Sequence, residues 1–291
     1  MRRIARPNSI PESILWHEPI SEGISRTWEI YRTHIQTNTR FQNVLIADTA
    51  HGVTLFCNSE QRSSELNHVA YHEGQVMPAL LSMPSLPKSA LVIGSSEGVN
   101  VKMLKEAGVE NITHVDFDKE CMLLCGKYLP YGYNIDEIQH YSGENVDSLI
   151  KIVIKDGEKI IKELRRSPVK YGLIVMAVFD ESTGTEMFYN EVRELLTADG
   201  ALVVPAGKSC LWRCEPLKNS YDIMKRTFHH VTYFEMGEQN WVWLIGHAGE
   251  IELSIDQMQE NLVACKYIPR FIDALTLSRS VMMPKALRTN P

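Results

Sequence analysis

Residues 90–118, ALVIGSSEGVNVKMLKEAGVENITHVDFD, constrain the fold more tightly than any other part of the chain. An apolar run passes directly into Gly94-Ser95-Ser96-Glu97-Gly98, a helical pattern follows, and a second apolar run ends at Asp116-Phe117-Asp118. This is the grammar of a βαβ unit, with small residues where a backbone comes close to a ligand at a strand's carboxyl end. An acid about 20 residues further on is placed to accept the hydroxyls of a ribose.

The dinucleotide spacing GxGxxG is absent, because Val99, Asn100 and Val101 follow Gly98. Glu97 is the informative departure. A carboxylate at the loop tip repels a pyrophosphate and attracts an ammonium or sulfonium. The stretch therefore favours S-adenosylmethionine (SAM), a nucleoside that carries a cation, over NAD; a ligand-free βαβ unit is the other reading of the same residues.

The rest of the chain repeats the theme. Predicted strands at 90–94, 112–116, 137–141, 172–178, 200–205, 230–235 and 241–246 alternate with helical segments, which implies a mostly parallel sheet covered on both faces. HVTYFEM and NWVWLIG are separated by a few residues around Gly237 and predict an antiparallel hairpin at one edge. Residues 148–166 predict a basic amphipathic helix broken near Gly157. Ahead of the sheet, residues 27–65 carry short strand-like runs with turn signals between them, an antiparallel meander, and residues 68–83 predict a helix closed by prolines at 84 and 87. The expected class is α/β: a small N-terminal antiparallel β domain (1–66), then a Rossmann-like seven-stranded sheet of methyltransferase type (67–291).

A formal charge of −6 over 291 residues argues against a nucleic-acid partner, which needs a basic face. No apolar stretch approaches the length of a membrane span, and the N-terminus lacks a signal-peptide pattern. The six cysteines are scattered; Cys121/Cys125 and Cys210/Cys214 stand four apart, not in zinc-ligand spacing, and Cys121 and Cys125 fit one helix face as packed thiols. A reduced cytoplasmic enzyme with a small-molecule substrate and no metal, nucleic acid or membrane partner is expected.

Taken in order, these segments resemble the spermidine synthase (aminopropyltransferase) family. Phe41-Gln42-Asn43-Val44 matches YQDV, and the segment from Gln61 to His68 stands where the family has QxTExDE. Tyr71-His72-Glu73 reproduces YHE, Gly94 to Gly98 replaces GGGDG, and Val115-Asp116-Phe117-Asp118 stands for CEVD. The segment from Ala177 to Gly184 occupies the DSSDPxGP gate, and Met187-Phe188-Tyr189 follows as LFxxxFY does.

The resemblance implies that Gln61, His72, Gly94, Ser96, Glu97, Asp116, Phe117, Gly143, Glu144 and Ala177 line a SAM-type ligand, with residues 142–145 near the adenine. Asp180, Tyr71 and Phe179 would serve the chemistry. It also implies a homodimer built partly through residues 27–65, whose strand edges need cover. Gln61 as an ordinary hairpin residue and His72 as a satisfied interior histidine are the plainer readings of those two positions.

The departures fall on the chemistry. Ala177 replaces the gate's first acid, which helps deprotonate the attacking amine, and Asn67 replaces an acid that helps hold the polyamine. Asp180 remains, followed by Glu181 in place of proline. Freeing a primary alkyl amine with pKa about 10.4 at pH 7 costs roughly 4–5 kcal/mol, against about 1 kcal/mol for an α-amino group. A site without its base therefore suits an α-amino nucleophile, and SAM carries one. Attack on its own γ-carbon would release methylthioadenosine and close azetidine-2-carboxylate, as the azetidine-2-carboxylate synthases do. That intramolecular cyclisation is the expected reaction. Intermolecular aminopropyl or aminocarboxypropyl transfer, methyl transfer, and a non-catalytic SAM-binding protein are the alternatives.

Overall fold

The protein was studied as a computed structural model, which describes residues 14–143, 149–178, 184–210, 214–237 and 240–288. Two compact units divide the chain: residues 1–68, 96–98 and 118–140 form the first, and residues 69–95, 99–117 and 141–291 the second.

In the first unit, β1 (Ile14–Ser21) and β2 (Ile24–Ile30) form an antiparallel hairpin. Strands β3 (Arg32–Asn38), β4 (Asn43–Thr49), β5 (Gly52–Cys57) and β6 (Glu60–Ser64) form a four-stranded antiparallel sheet in sequential order. The run from Thr27 to Gln36, expected as one strand, changes sheets at Tyr31. The β1–β2 hairpin was not foreseen. It is held by the indole of Trp28, which donates to Glu18 at 2.7 Å, and by the Gln61 amide, which donates to the same carboxylate at 3.1 Å.

Helix α1 (His68–Leu81) and helix α2 (Val99–Ala107) follow in the chain, and α3 (Lys119–Tyr128) completes the core of the first unit. Cys121 and Cys125, one turn apart, pack with Leu129 against Val44, Ile46, Leu55 and Cys57. Asp118 caps α3 by accepting from the Cys121 amide at 3.0 Å, and its other oxygen accepts from Thr39 at 2.7 Å and Gln42 at 3.0 Å. One carboxylate thereby starts the helix and pins the β3–β4 turn.

The second unit is a seven-stranded sheet built from β7 (Ser89–Ile93), β8 (Asn111–Asp116), β9 (Ile150–Ile154), β10 (Tyr171–Met176), β11 (Leu196–Lys208), β12 (His230–Met236) and β13 (Trp241–His247). The spatial order is β12-β13-β11-β10-β7-β8-β9, with β7 to β11 parallel and the β12–β13 hairpin antiparallel at one edge, as the sequence predicts.

Two expected elements were misplaced. Residues 137–141 lie in α4 (Ile135–Ser142): Asn134 accepts from the Glu137 amide at 2.8 Å while Glu137 accepts from the Asn134 amide at 2.9 Å, a reciprocal cap that starts a helix. The third strand is β9, inside the stretch expected as a basic helix. There Ile150 and Ile152 are buried around an exposed Lys151, the two-residue period of a strand. Only α5 (Gly157–Leu164) is helical, capped by Asp156 accepting from Lys159 at 3.0 Å.

Helices α5, α6 (Glu186–Arg193) and α7 (Glu215–Thr227) contribute Ile160, Ile161, Phe188, Val192, Leu217 and Met224 to one core with Leu91, Ile93, Ile174, Leu202 and Leu244. Trp243 points the other way, against α1, where a Cβ at Gly74 would come within 2.5 Å of its ring. The chain closes with α8 (Ile255–Ala264), α9 (Ala274–Ser280) and α10 (Lys285–Arg288). No described helix is long and apolar enough to cross a membrane.

Within the sheet edge, the His230 and His247 rings stack at 4.4 Å. Burial first, and the neighbouring His230 second, push His247 down to about 3. Its folded pKa lies below the unfolded value near 6.5, so the unfolded chain binds the extra proton, and the stability present above that value is lost as pH falls through 6.5 toward 3. Unfolding at pH 5 should show a loss of about 2 kcal/mol relative to pH 7 from this residue. In urea titrations at the two pH values, His247→Gln should remove most of that difference; an unchanged difference would refute the assignment.

Candidate active site

The second unit gathers its candidate residues at the carboxyl ends of neighbouring parallel strands, where open α/β sheets hold ligands. Gly94 and Ser95 follow β7, Asp116 ends β8, and Ala177 follows β10. The Gly94 amide donates to Val115 O at 2.8 Å and the Ala177 amide to Ile93 O at 2.8 Å, which ties the three strand ends together. His114 Nε2 lies 2.7 Å from Gly94 O, bracing the loop from the opposite side. Gly94 adopts φ +83°, and a side chain there would press within 2.8 Å of Val178. Asp116 is 3% exposed and Phe117, next to it, is exposed.

Ser95 belongs to the stretch of small residues expected to pass close to a ligand. It holds φ +70°, a left-handed conformation that costs a non-glycine residue about 1 kcal/mol or more. Its hydroxyl is buried with no partner among the described residues. Strain and an unsatisfied hydroxyl thus coincide on one residue at a strand end, where a glycine would adopt the same φ at little cost.

Tyr71 and His72 lie on α1. His72 is buried, with its ring edge-on to Tyr71 at 5.3 Å. Tyr71 meets Trp241 at 4.8 Å and Trp243 at 5.2 Å, both edge to face, so its ring belongs to an aromatic wall. The next α1 residues are structural. Gln75 donates to Met176 O at 2.8 Å, fixing the end of β10, and its own carbonyl accepts from Asn100 at 2.9 Å. Glu73, fully buried, accepts from Tyr267 Oη at 2.9 Å, the Arg270 amide at 2.7 Å and the Phe271 amide at 2.8 Å. Burial and that carboxylate push the Tyr267 phenol up.

The first unit holds Gln61 on β6 and the loop residues Ser96 and Glu97. Glu97 is 7% exposed. The 131–133 segment grips its backbone: the Tyr133 amide donates to Glu97 O at 2.8 Å, and a Cβ on Gly132, at φ +78°, would lie 2.1 Å from that oxygen. The Cys125 thiol, then the Cys57 thiol, and in smaller part the Ser96 hydroxyl hydrogen-bond to the Cys121 thiol and lower its pKa against the opposing effect of burial. Gly143 is exposed just beyond α4. Glu144 and Asn145 near the expected adenine position, and Phe179, Asp180 and Glu181 of the gate, lie outside the described residues. Among the described residues no cluster of His, Cys, Asp and Glu has the arrangement of a metal site.

A seven-stranded, mostly parallel sheet together with a small N-terminal antiparallel sheet places the chain in the methyltransferase-like fold class. Residues 68–236 match the model of the spermine/spermidine synthase domain, and the chain belongs to that family. It is 29% identical over 252 residues to the polyamine aminopropyltransferase of Pyrobaculum calidifontis, covering 82% of this chain and 81% of the relative. It is 24% identical over 290 residues to thermospermine synthase ACAULIS5 of Arabidopsis thaliana, covering 92% and 82%. A crystal structure of spermidine synthase in complex with the transition state analogue AdoDATO superposes with a TM-score of 0.80 over 98% of both chains at 17% identity, which supports the fold.

Proposed function

We propose that this protein is an alkyl-transfer enzyme of the aminopropyltransferase type: an amine attacks the γ-carbon of an adenosyl sulfonium and methylthioadenosine leaves. The observation that carries the reading is the membership of residues 68–236 in the spermine/spermidine synthase family, together with relatives named as polyamine aminopropyltransferases. On that reading Asp116 binds the ribose, Glu97 faces the cationic end of the donor, and Gln61, His72, Gly94, Ser96, Phe117, Gly143, Glu144 and Ala177 are the other candidate donor contacts. Tyr71, Phe179 and Asp180 attend the nucleophile. The electron pair of the amine forms the new C–N bond as the C–S pair returns to sulfur, and the amine's proton passes to Asp180 or water.

The intermolecular form, with a separate amine acceptor, ranks above cyclisation of SAM, because the relatives are named as polyamine transferases. Cyclisation to azetidine-2-carboxylate is kept as the second reading for one reason. Ala177 follows β10 with no group able to take a proton, a deficit that matters least for an α-amino nucleophile. Mass spectrometry after incubation with SAM or decarboxylated SAM, with and without putrescine, separates them. Methylthioadenosine formed only with an added amine is the expected result. S-adenosylhomocysteine would make the protein a methyltransferase, and no product with either donor would leave a binding protein.

The proposal extends to assembly. Strands within residues 27–65 present edges that pair or need cover, and a cytoplasmic homodimer of twice 33.1 kDa is expected in light scattering at micromolar concentration. A 33 kDa particle would count against it.

A further inference from the structure

The first unit carries an arrangement of donors that the transfer reading does not use. Asn67 is 1% exposed; its carbonyl oxygen accepts from Ser64 Oγ at 2.7 Å, and its Nδ2 has no partner among the described residues. The adjoining residues lead to a second donor. His68 stacks on the Tyr131 ring at 4.0 Å and 9°, and Ser63 Oγ donates to Tyr131 Oη at 3.0 Å. Because the phenol oxygen accepts that bond, its own proton can be given to another acceptor. Tyr131 in turn precedes Gly132 and Tyr133, which hold the Glu97 backbone. Burial, and in lesser part the Glu97 charge, push the phenol well above its ordinary value, so it remains a neutral donor at all working pH.

An unpartnered buried amide next to the His68–Tyr131 stack, and a buried phenol adjoining the segment that holds the Glu97 backbone, match one chemical group: an α-amino acid, whose carboxylate takes the two donors while its ammonium meets the acid. A diamine protonated at both ends offers no acceptor to an N–H or O–H donor, and it carries no carboxylate in any state. We infer that Asn67 and Tyr131 form a carboxylate-recognition subsite, so that one of the two substrates carries an intact α-amino acid group. The carboxylate belongs either to the sulfonium donor, as in SAM itself, or to the acceptor, as in an amino acid such as ornithine in place of putrescine. This inference rests on the alkyl-transfer reading and specifies its substrate.

The test compares substrates with their decarboxylated twins. Calorimetry first measures methylthioadenosine binding. SAM is then titrated against decarboxylated SAM, and with decarboxylated SAM as donor, methylthioadenosine release is followed with ornithine and with putrescine. One carboxylate-bearing twin should be favoured by roughly tenfold or more, the worth of a hydrogen bond to a charged group. Asn67→Asp should lower that ratio at least tenfold by setting charge against charge, and Tyr131→Phe should lower it several-fold. The ratio cancels any loss of folded protein common to both twins. Methylthioadenosine binding with no preference in either pair, or a preference that Asn67→Asp leaves unchanged, overturns the subsite alone. Failure to bind methylthioadenosine overturns the transfer reading and the subsite with it.

Discussion

Glu73→Ala is expected to cost about 1–3 kcal/mol of stability, because it strands three hydrogen-bond donors at once. The carboxylate accepts three hydrogen bonds inside the second unit, two of them from the consecutive backbone amides of Arg270 and Phe271. Alanine leaves those amides and the Tyr267 hydroxyl, all three part-buried, without their acceptor, and opens a cavity where the buried carboxylate stood. Glu73→Gln keeps one carbonyl and should retain part of the stability. Urea unfolding at pH 7 checks the ranking, and a loss under about 1 kcal/mol for the alanine variant would show that the segment after α8 is held by something else. The YHE motif thus contains a glutamate whose described partners are all structural.

Asp116→Ala should weaken binding of SAM and methylthioadenosine by about 1.5–3 kcal/mol, or roughly ten- to a hundredfold, through loss of the ribose hydrogen bonds. The measurement is calorimetry on protein whose melting temperature remains near that of the wild type. Unchanged affinity in a folded variant would remove Asp116 from the site. Asp118→Ala serves as the contrast, because Asp118 caps α3 and holds Thr39 and Gln42; it should act on stability first.

That pair of aspartates shows how far the sequence could be read. Strand, loop and helix were legible at residues 90–118 because an apolar run passing into small residues, a helical period and a second apolar run ending in an acid spell a βαβ unit. The division of labour between Asp116 and Asp118 was not, since the partners of Asp118 lie at residues 39 and 42. The same limit hid β9: Ile150 and Ile152 alternate over only five residues, among lysines that also fit a helix. Local capping, as between Asn134 and Glu137, overrode the expected strand nearby. The β12–β13 hairpin and α1 were legible because each is defined by its own period and its own turn. The unsatisfied state of the Ser95 hydroxyl and of Asn67 Nδ2 was invisible for a different reason. An unpartnered polar atom is a property of a folded environment, and no motif encodes it.

The core of the first unit joins β4 and β5 to a helix that begins more than sixty residues later in the chain. During synthesis, the N-terminal sheet therefore leaves the ribosome with Val44, Ile46 and Leu55 uncovered, and waits for α3 before its core can close. A gene fragment ending at residue 66 would carry the strands and none of their lid, so it is a poor candidate for grafting onto another enzyme. Recombination between relatives would succeed only when the segments 14–68 and 118–140 travel from the same parent.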